Sequence, residues 1–431
     1  MRHAPIPAKV FTENRARLTK LLLPNSVAVV NANDILPTNA DGSLRMHPNS
    51  DLFYLTGIEQ EETVLLLAPN AFDEKLREVL FVRETNEHLK VWEGQKHTRE
   101  EAQKISGVKQ VRWLSEFRGI FHRLMLESEH VYLNRNEHGR AATEVETRDD
   151  RFVRECQKKY PLHDYHRLAP LLHRLRVVKS ETELDLIRQA CAITRAGFLR
   201  VLRLVRPGIN EAEIEAEFAR EFIRRRGNFA YTPIIASGAN SCVLHYIQND
   251  RPCRKGDVLL LDVAASYANY NADLTRTIPV SGRFTRRQRK VYNAVLRVLR
   301  AAAKAAVPGK LHRDWQKEAE MLMTEELLAL GLLKPGEVKK QDPDKPACRK
   351  YFNHGIGHPL GLDVHDVAPI SQPFAPGWVL TVEPGIYLPE EGFGIRLEND
   401  ILITENGTVD LMADIPIEAE EIEEWMSQGR R

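Results

Sequence analysis

The chain has 431 residues, which exceeds the size at which one hydrophobic core keeps growing, so we expect two domains. Its 43% hydrophobic and 28% charged residues are typical of a globular protein and disfavour disorder, collagen and coiled coil. The 61 basic and 60 acidic residues nearly cancel, so no net field attracts nucleic acid or an anionic membrane. We see neither an apolar run of about 20 residues nor a secretory signal, and therefore expect a cytoplasmic protein.

The cysteines give no sign of a disulfide framework. They are odd in number, scattered, and contain no CxxC pair, so we expect free thiols in a reducing compartment rather than disulfides or a structural zinc site. They are Cys156, Cys191, Cys242, Cys253 and Cys348.

Residues 1–175 alternate between two kinds of segment. Short apolar runs such as SVAVV, TVLLLAP, REVLFVR and HVYLN are typical of strands, and stretches such as TREEAQKISG are typical of helices. This alternation predicts a small α/β domain that contains a sheet.

Strong helix signals follow from residue 176 onward. Ser180 and Glu183 form a predicted capping box for a helix that continues until Pro207, and Asn210 with Glu213 begins a second helix. Further helices are predicted over residues 286–306 and 313–330.

The β-type runs between and after these helices carry the residues of most chemical interest. The runs are TPIIASG, DVLLLDVA, YANYNADLTRTIPV, WVLTVEPGIY and GIRLENDILIT, which make residues 176–431 a second, α+β domain. Five candidate metal ligands lie in or beside them: Asp262, Asp273, His358, Glu383 and Glu398. Four carboxylates and one imidazole suit two hard divalent cations, which indicates metal-assisted hydrolysis.

Each carboxylate also has an ordinary alternative. Asp262 follows the apolar run VLLL, where a buried carboxylate needs either a partner or a metal, and Asp273 could be a turn or cap residue. Glu383 precedes a proline and could lie in a solvated turn. Glu398 and Arg396 alternate along one predicted strand, so a cross-strand ion pair is the alternative there.

His358 lies in the segment HGIGHPLGLDVHD, together with His354 and His365. The glycines in this segment would let the backbone approach a ligand closely. A zinc site made of the three histidines is the rival hypothesis, but the HExxH spacing is absent and only His358 need bind. Manganese is the expected metal, with cobalt or zinc as alternatives.

The chain from about residue 176 onward resembles the pita-bread catalytic domain of the metallopeptidase family that includes methionine aminopeptidase, prolidase and aminopeptidase P. The resemblance rests on CVLHY, LLLDV, NADLTRT, HGIGHPLG, VEPGIY and GIRLEND, in that order. The first half is similar to the creatinase-like N-terminal domain of aminopeptidase P in RMHPNSDLFYLTGIEQEE and VWEGQKHTREEA. Methionine aminopeptidase lacks such a domain, so aminopeptidase P is the closer relative.

The resemblance implies a role for each candidate ligand. Asp273 and Glu398 would bridge two metal ions, Asp262 would bind one ion, and His358 with Glu383 would bind the other. Two such ions lower the pKa of bound water enough for attack at neutral pH. The expected reaction is release of the N-terminal residue from peptides with proline in second position.

Further roles are also implied by the resemblance. His365 would stabilise the tetrahedral intermediate and transfer protons, and Glu383 would take the proton of the attacking water. His354 is expected at the catalytic site and, with His245, in the wall of the proline pocket. Two further residues are predicted to contact substrate: Tyr231 and Arg396.

The chain departs from the family pattern at three positions, and we expect these differences to affect substrate preference rather than metal binding: Ala264, Ser266 and Pro359. Prolidase, which cleaves Xaa-Pro dipeptides, is the alternative enzyme, and a non-catalytic peptidase-like binding module or a metal-free relative such as creatinase is the alternative outside metallopeptidase activity. The family also implies a homodimer or homotetramer, with Trp92 reaching a neighbouring subunit's active site.

Overall fold

The computed structural model describes residues 3–141, 144–342 and 344–428. They fall into two compact units, one of residues 4–176 and one of residues 177–428 together with His3. No helix within these described ranges combines the length and apolar composition that crossing a membrane requires.

Helices and strands alternate along the first unit, as the sequence predicts for an α/β domain. They are α1 (Ala8–Thr19), β1 (Ser26–Asn31), α2 (Ser50–Thr56), β2 (Val64–Leu67), β3 (Glu78–Val82), α3 (Glu87–Trp92), α4 (Arg99–Ser106), β4 (Gln110–Trp113), α5 (Phe117–Glu127), β5 (His130–Leu133), α6 (Arg148–Lys159), β6 (Asp164–Arg167) and α7 (Ala169–Arg176).

The strands of the first unit form one mixed sheet in the order β4-β3-β2-β1-β5-β6. Strands β1, β2 and β3 are antiparallel neighbours, whereas β4, β5 and β6 add in parallel to the strands beside them. Every residue of β1 is buried, which explains why its sequence is a continuous apolar run rather than an alternating one. Residues such as Val29, Leu66 and Phe81 pack there against Phe121 of α5.

Two side chains of this unit have unusual exposure for their residue type. Trp92 ends α3 and is 75% exposed. Asp149 lies in the first turn of α6 and is buried, and Asn31 Nδ2 donates to its Oδ1 at 2.8 Å. Burial therefore raises the pKa of Asp149 to about 7.

The second unit begins with two long helices. Further along the chain, strands precede and follow a second pair of long helices. Its elements are α8 (Glu181–Leu204), α9 (Glu211–Arg224), β7 (Asn228–Phe229), β8 (Ile234–Ser237), β9 (Val258–Asp262), β10 (Ala265–Tyr267), β11 (Tyr270–Asn271), β12 (Thr275–Pro279), α10 (Arg286–Ala305), α11 (His312–Ala329), α12 (Pro335–Lys339), β13 (Val379–Val382), β14 (Gly385–Leu388), β15 (Phe393–Arg396), β16 (Asn399–Thr404), β17 (Gly407–Asp410) and α13 (Ala419–Gln428).

Local sequence signals set the helix starts correctly. Ser180 caps α8 and Asn210 caps α9, and each forms the predicted capping box with a glutamate three residues later. Helices α10 and α11 lie where the sequence predicts them, within about two residues at each end.

The strands of this unit form several small sheets, in the orders β12-β9-β8, β13-β16-β17, β11-β10-β7 and β14-β15. Three predicted β-runs are wrong as continuous strands. The run WVLTVEPGIY breaks between β13 and β14 at residues 383–384, and the other two break between β11 and β12 at residues 272–274 and between β15 and β16 at residues 397–398. Asp273 and Glu398 lie at these breaks, because the backbone amide of Asp273 binds Asp400 and that of Glu398 binds the carbonyl of Thr275.

The buried carboxyl of Asp149 should make the first unit less stable as the pH rises. Its pKa is about 7 in the folded chain against 3.8 ordinarily, so folding retains a proton that unfolding releases. The stabilising effect of that proton is complete below about pH 4 and is lost as the pH rises through about 7. Asp149→Asn should therefore raise the free energy of unfolding at pH 8, by up to about 4 kcal/mol, and change it little at pH 4.

Urea unfolding of the full chain at both pH values measures this difference. Asp41→Asn, at an exposed aspartate of the same unit, is the matched control and should change stability at neither pH. Equal effects of Asp149→Asn at pH 4 and pH 8 would contradict the argument.

Candidate metal centre

Two aspartates reach one end of the β9–β12 pair. Asp262 is the last residue of β9 and lies opposite Thr275 of β12 in the antiparallel register. Asp273 lies two residues before Thr275, just outside β12, and so comes from the same end of this strand pair. This local geometry brings two carboxylates together at the end of a buried strand pair.

His358 is held against β13 by backbone pairing. Its amide donates to Thr381 Oγ1 at 3.1 Å, and the Thr381 amide donates to the His358 carbonyl at 2.9 Å. Gly357 makes this approach feasible, since a Cβ there would lie 2.0 Å from the Thr381 carbonyl oxygen. The glycine therefore allows close approach to a strand rather than to a ligand, which the sequence did not predict.

The ring of His358 is oriented by its own neighbour in the chain. Nδ1 donates to the Pro359 carbonyl at 3.0 Å, which directs Nε2 towards carboxylates. Nε2 lies 3.5 Å from Asp273 Oδ2 and 3.8 Å from Glu383 Oε1. Burial disfavours a charged imidazole at this position, but the two carboxylates outweigh it and raise the pKa of His358.

The two glutamates complete the group. Glu383 directly follows β13, and Glu398 lies between β15 and β16, where Thr275 Oγ1 donates to its Oε2 at 2.7 Å. One ligand atom from each of Asp273, His358 and Glu398 lies within 4.8 Å of the other two, and all three residues are buried. The structure thus brings together three of the five residues that the sequence nominated as ligands, with Glu383 3.8 Å from His358 and Asp262 at the nearby end of β9.

The carboxylates of this group are held at an electrostatic cost. Burial, and after it the charge of neighbouring carboxylates, raises the pKa of Glu398 well above its ordinary value. Burial raises the pKa of Glu383 to about 7 against the opposing charges of His358 and Arg396. Burial also raises the pKa of Asp262, although Arg396 Nη2 donates to its Oδ2 at 2.6 Å.

The remaining oxygen of Asp262 tests whether cations fit this group. Asp262 Oδ1 and the Tyr231 hydroxyl are both buried, and neither makes a hydrogen bond of standard geometry in the described part of the chain, although the hydroxyl interacts with the Asp262 carboxyl. Buried carboxylate oxygens that lack a donor are the preferred ligands of hard divalent cations. Added positive charge would offset both the repulsion and the unpaired acceptor, so the residues fit a metal centre.

A hydrogen-bonded chain runs from Arg396 to His354 beside the carboxylates. Arg396 Nη1 donates to the Tyr387 hydroxyl at 2.9 Å, and that hydroxyl donates to His354 Nε2 at 2.8 Å. The other ring nitrogen of His354 donates to the Gly355 carbonyl at 2.8 Å. Burial and the charge of Arg396 lower the pKa of His354 to about 3, so this ring is neutral.

The other predicted site residues lie around this centre with different exposure. The half-buried ring of His365 stacks on His358 with centroids 4.1 Å apart. His245 is exposed, and it contributes to the lowered pKa of His354. Burial and the charges of Asp262, Asp273 and Glu398 raise the pKa of Tyr231.

Sequence reasoning missed three residues that orient predicted site residues. Thr275 donates to Glu398, Thr381 positions His358, and Tyr387 links Arg396 to His354. Tyr387 belongs to the VEPGIY segment, so its closeness to Glu383 in the sequence could have indicated that it lies at the site. The threonines gave no such signal, because their partners are more than 20 residues away along the chain.

Comparison with known proteins shows strong similarity over almost the whole chain. Residues 185–405 match the model of metallopeptidase family M24, and residues 11–132 match that of the aminopeptidase P N-terminal domain. The Xaa-Pro aminopeptidase of Haemophilus influenzae is 33% identical over 98% of both chains, and that of Escherichia coli is 33% identical over 99% of both.

Among solved structures, the zinc-substituted aminopeptidase P of Escherichia coli in complex with product is also similar. It aligns with a TM-score of 0.88 and 33% identity over 99% of this chain and 100% of its own. The similarity therefore extends to both units and confirms the predicted fold class, an α/β N-terminal domain followed by a pita-bread domain.

Removing one negative charge from this centre should stabilise the metal-free chain while weakening metal binding. Glu398→Gln keeps an oxygen that can accept from Thr275 and relieves the repulsion among buried carboxylates. At pH 8 in EDTA, we expect a higher Tm for Glu398→Gln than for the parent chain. Added Mn²⁺ should raise the parent's Tm far more than the variant's.

Thermal unfolding followed by circular dichroism measures both effects. Glu390→Gln, at an exposed glutamate of the same unit, is the matched control and should leave both Tm values unchanged. A lower metal-free Tm for Glu398→Gln would show that repulsion does not dominate at this position.

Proposed function

Because the chain belongs to metallopeptidase family M24 and carries the aminopeptidase P N-terminal domain, we propose that it is a metalloaminopeptidase that releases the N-terminal residue from peptides with proline in second position. The observation that carries this proposal is the buried group of carboxylates and histidine, held by strands at positions that match the family motifs. The similarity to Xaa-Pro aminopeptidases over the full length supports the substrate class.

Five side chains would hold two divalent cations. We assign Asp273 and Glu398 as bridging ligands, Asp262 as a ligand of one ion, and His358 with Glu383 as ligands of the other. Bound cations would polarise the scissile carbonyl and make water a nucleophile at neutral pH. The oxygen-rich ligand set with a single imidazole favours Mn²⁺, with Co²⁺ or Zn²⁺ as alternatives.

The reaction adds water to the carbonyl that precedes proline and breaks the bond to the proline nitrogen. Glu383 lies 3.8 Å from both His354 and His358, so its carboxylate is fixed at the centre of the group. In our proposal Glu383 accepts the proton of the attacking water. The proton then passes to the proline nitrogen as that nitrogen leaves.

The histidines beside the centre would divide two further tasks. His365 is half-buried and close to His358, so it can reach both the intermediate and solvent, as stabilisation of an oxyanion and proton transfer require. His354 is neutral and held at both nitrogens, which suits a fixed wall of the catalytic site. We place His245, with its exposed ring, at the entrance to the proline pocket.

Two more residues complete the proposed substrate site. Arg396 partly neutralises Asp262 and holds Tyr387 in place, so its charge is mainly used within the protein. The buried hydroxyl of Tyr231 faces the same carboxylates. We propose that both residues shape the cleft beside the proline rather than take part in bond cleavage.

Prolidase activity remains the alternative within the family. A dipeptidase needs a cation that captures the free carboxylate of the proline, whereas an aminopeptidase leaves room for further residues. Arg396 already pairs with Asp262 at 2.6 Å, which argues against its use for such capture. A metal-free binding module is disfavoured, because the candidate metal ligands are retained.

We also propose that the chain forms homodimers or homotetramers through its first domain. The exposed indole of Trp92 supports this, since an aromatic side chain that is 75% exposed is suited to an interface.

A cytoplasmic location stays a prediction.

The substrate class can be tested with two short peptides. The purified chain, stripped of metal and resupplied with Mn²⁺, should release arginine from Arg-Pro-Pro and should show little activity without metal. Gly-Pro should be cleaved far more slowly. Cleavage of Gly-Pro alone would establish a prolidase, and cleavage of neither peptide by the metal-loaded chain would overturn the proposed substrate class.

Two substitutions should separate ligands from residues that act on the intermediate. Asp273→Asn should lose both metal content and activity, because a bridging carboxylate serves both ions. His365→Ala should keep its metal content and lose kcat by at least about 100-fold. Metal analysis by mass spectrometry beside kinetics on Arg-Pro-Pro distinguishes these patterns, and a fully active Asp273→Asn would exclude the bridging assignment.

A further inference from the structure

A second group of metal-ligating side chains lies in the first unit, on the edge of its sheet. Strands β5 and β6 are parallel neighbours, with His130 opposite Asp164 and Tyr132 opposite His166. Strand β6 is the last strand of the sheet. Because side chains alternate along a strand, these four residues share one face.

The opposite face of the same strands is occupied by the hydrophobic core. Val131, Leu133 and Tyr165 pack there with residues of the neighbouring helices. The two histidines and the aspartate therefore project away from the core. The side chains of His130 and His166 are 25% and 28% exposed, and that of Asp164 is 62% exposed.

Three ligand atoms converge at nearly equal distances. His130 Nδ1 and His166 Nε2 each lie 3.0 Å from Asp164 Oδ2, and the two nitrogens lie 3.1 Å apart. A cation bound at about 2.0–2.1 Å from each atom would make angles of about 95° between them. This is the geometry of three ligands on one side of a metal ion.

No arrangement of protons on the two facing ring nitrogens makes all three of these contacts favourable at once. If both facing nitrogens carry a proton, both can donate to Asp164 Oδ2, but their two N–H groups then face each other. If only one nitrogen carries a proton, the lone pair of the other faces the carboxylate oxygen. A single cation among the three atoms satisfies every lone pair simultaneously.

We propose that His130, Asp164 and His166 form a binding site for one zinc ion or a similar transition-metal ion. Two imidazoles and one carboxylate favour Zn²⁺, Co²⁺, Ni²⁺ or Cu²⁺ over the oxygen-preferring Mg²⁺ and Ca²⁺. The exposure of the group leaves the remaining coordination positions to solvent. Tyr132 stacks on His166 with ring centroids 4.9 Å apart and so orients one ligand.

The site would have a structural consequence for the sheet. An edge strand has one unpaired side and is held by a single neighbour. A metal ion shared by His130 of β5 and by Asp164 and His166 of β6 would add a second link between these strands. Zinc should therefore stabilise the edge of the first unit by preferential binding to the folded chain.

Zinc stoichiometry tests this proposal independently of the peptidase reaction. The full chain is stripped with EDTA, dialysed against Zn²⁺ buffered at about 1 µM, and analysed by mass spectrometry. His130→Ala, His166→Ala and Asp164→Asn should each bind about one zinc ion fewer per chain than the parent. All three should retain the parent's activity on Arg-Pro-Pro, because none lies in the proposed catalytic machinery.

His88→Ala is the matched control, since it removes an exposed imidazole from the same unit and should leave the zinc content unchanged. Asp164→Asn preserves side-chain shape, so it decides the outcome if an alanine variant fails to fold. Equal zinc content in the parent and the variants would overturn the site. Zinc uptake that requires far more than about 1 µM metal would indicate adventitious binding and would also overturn it.

Discussion

The second unit is organised around the cost of keeping like charges together away from water. Burial raises the pKa of Asp262, Glu383 and Glu398, and neighbouring carboxylates add to that increase. Such an arrangement persists only if surrounding structure holds each residue independently. Strand pairing holds Asp262, backbone contacts with β13 hold His358, and a threonine hydroxyl holds Glu398. The stability gained elsewhere in the unit thus maintains a group of carboxylates that is unfavourable in the absence of cations.

The need to hold each carboxylate independently also explains why the candidate ligands lie where regular strands end. Inside a paired strand, side chains point alternately to the two faces of the sheet, and the backbone N–H and C=O groups form hydrogen bonds with the neighbouring strand. Asp273 and Glu398 leave that pattern: the amide of Asp273 binds Asp400, and that of Glu398 binds the carbonyl of Thr275. These contacts turn both carboxylates towards His358. Breaks in the strands are therefore part of how the centre is assembled.

Local signals were sufficient for the helix caps and for the kinds of residue that could bind metal. The capping boxes at Ser180 and Asn210 depend on residues three positions apart, so the sequence alone reveals them. The strand breaks depend on Asp400 and Thr275, which are remote in sequence from the residues that they hold, so no local pattern predicts them. His130 and Asp164 are also 34 positions apart, and only the strand register brings them together.

Both groups of candidate metal ligands bring together side chains from different segments of the chain, but their surroundings differ. In the second unit the candidate ligands are buried and mostly anionic, so bound cations would acquire a low-dielectric environment in which they would polarise a substrate strongly. At the edge of β6 the ligands are partly exposed and carry one carboxylate, so a bound ion would stay hydrated and its charge would be screened. Burial, together with the number of carboxylates, thus separates a centre suited to catalysis from one suited to joining two strands.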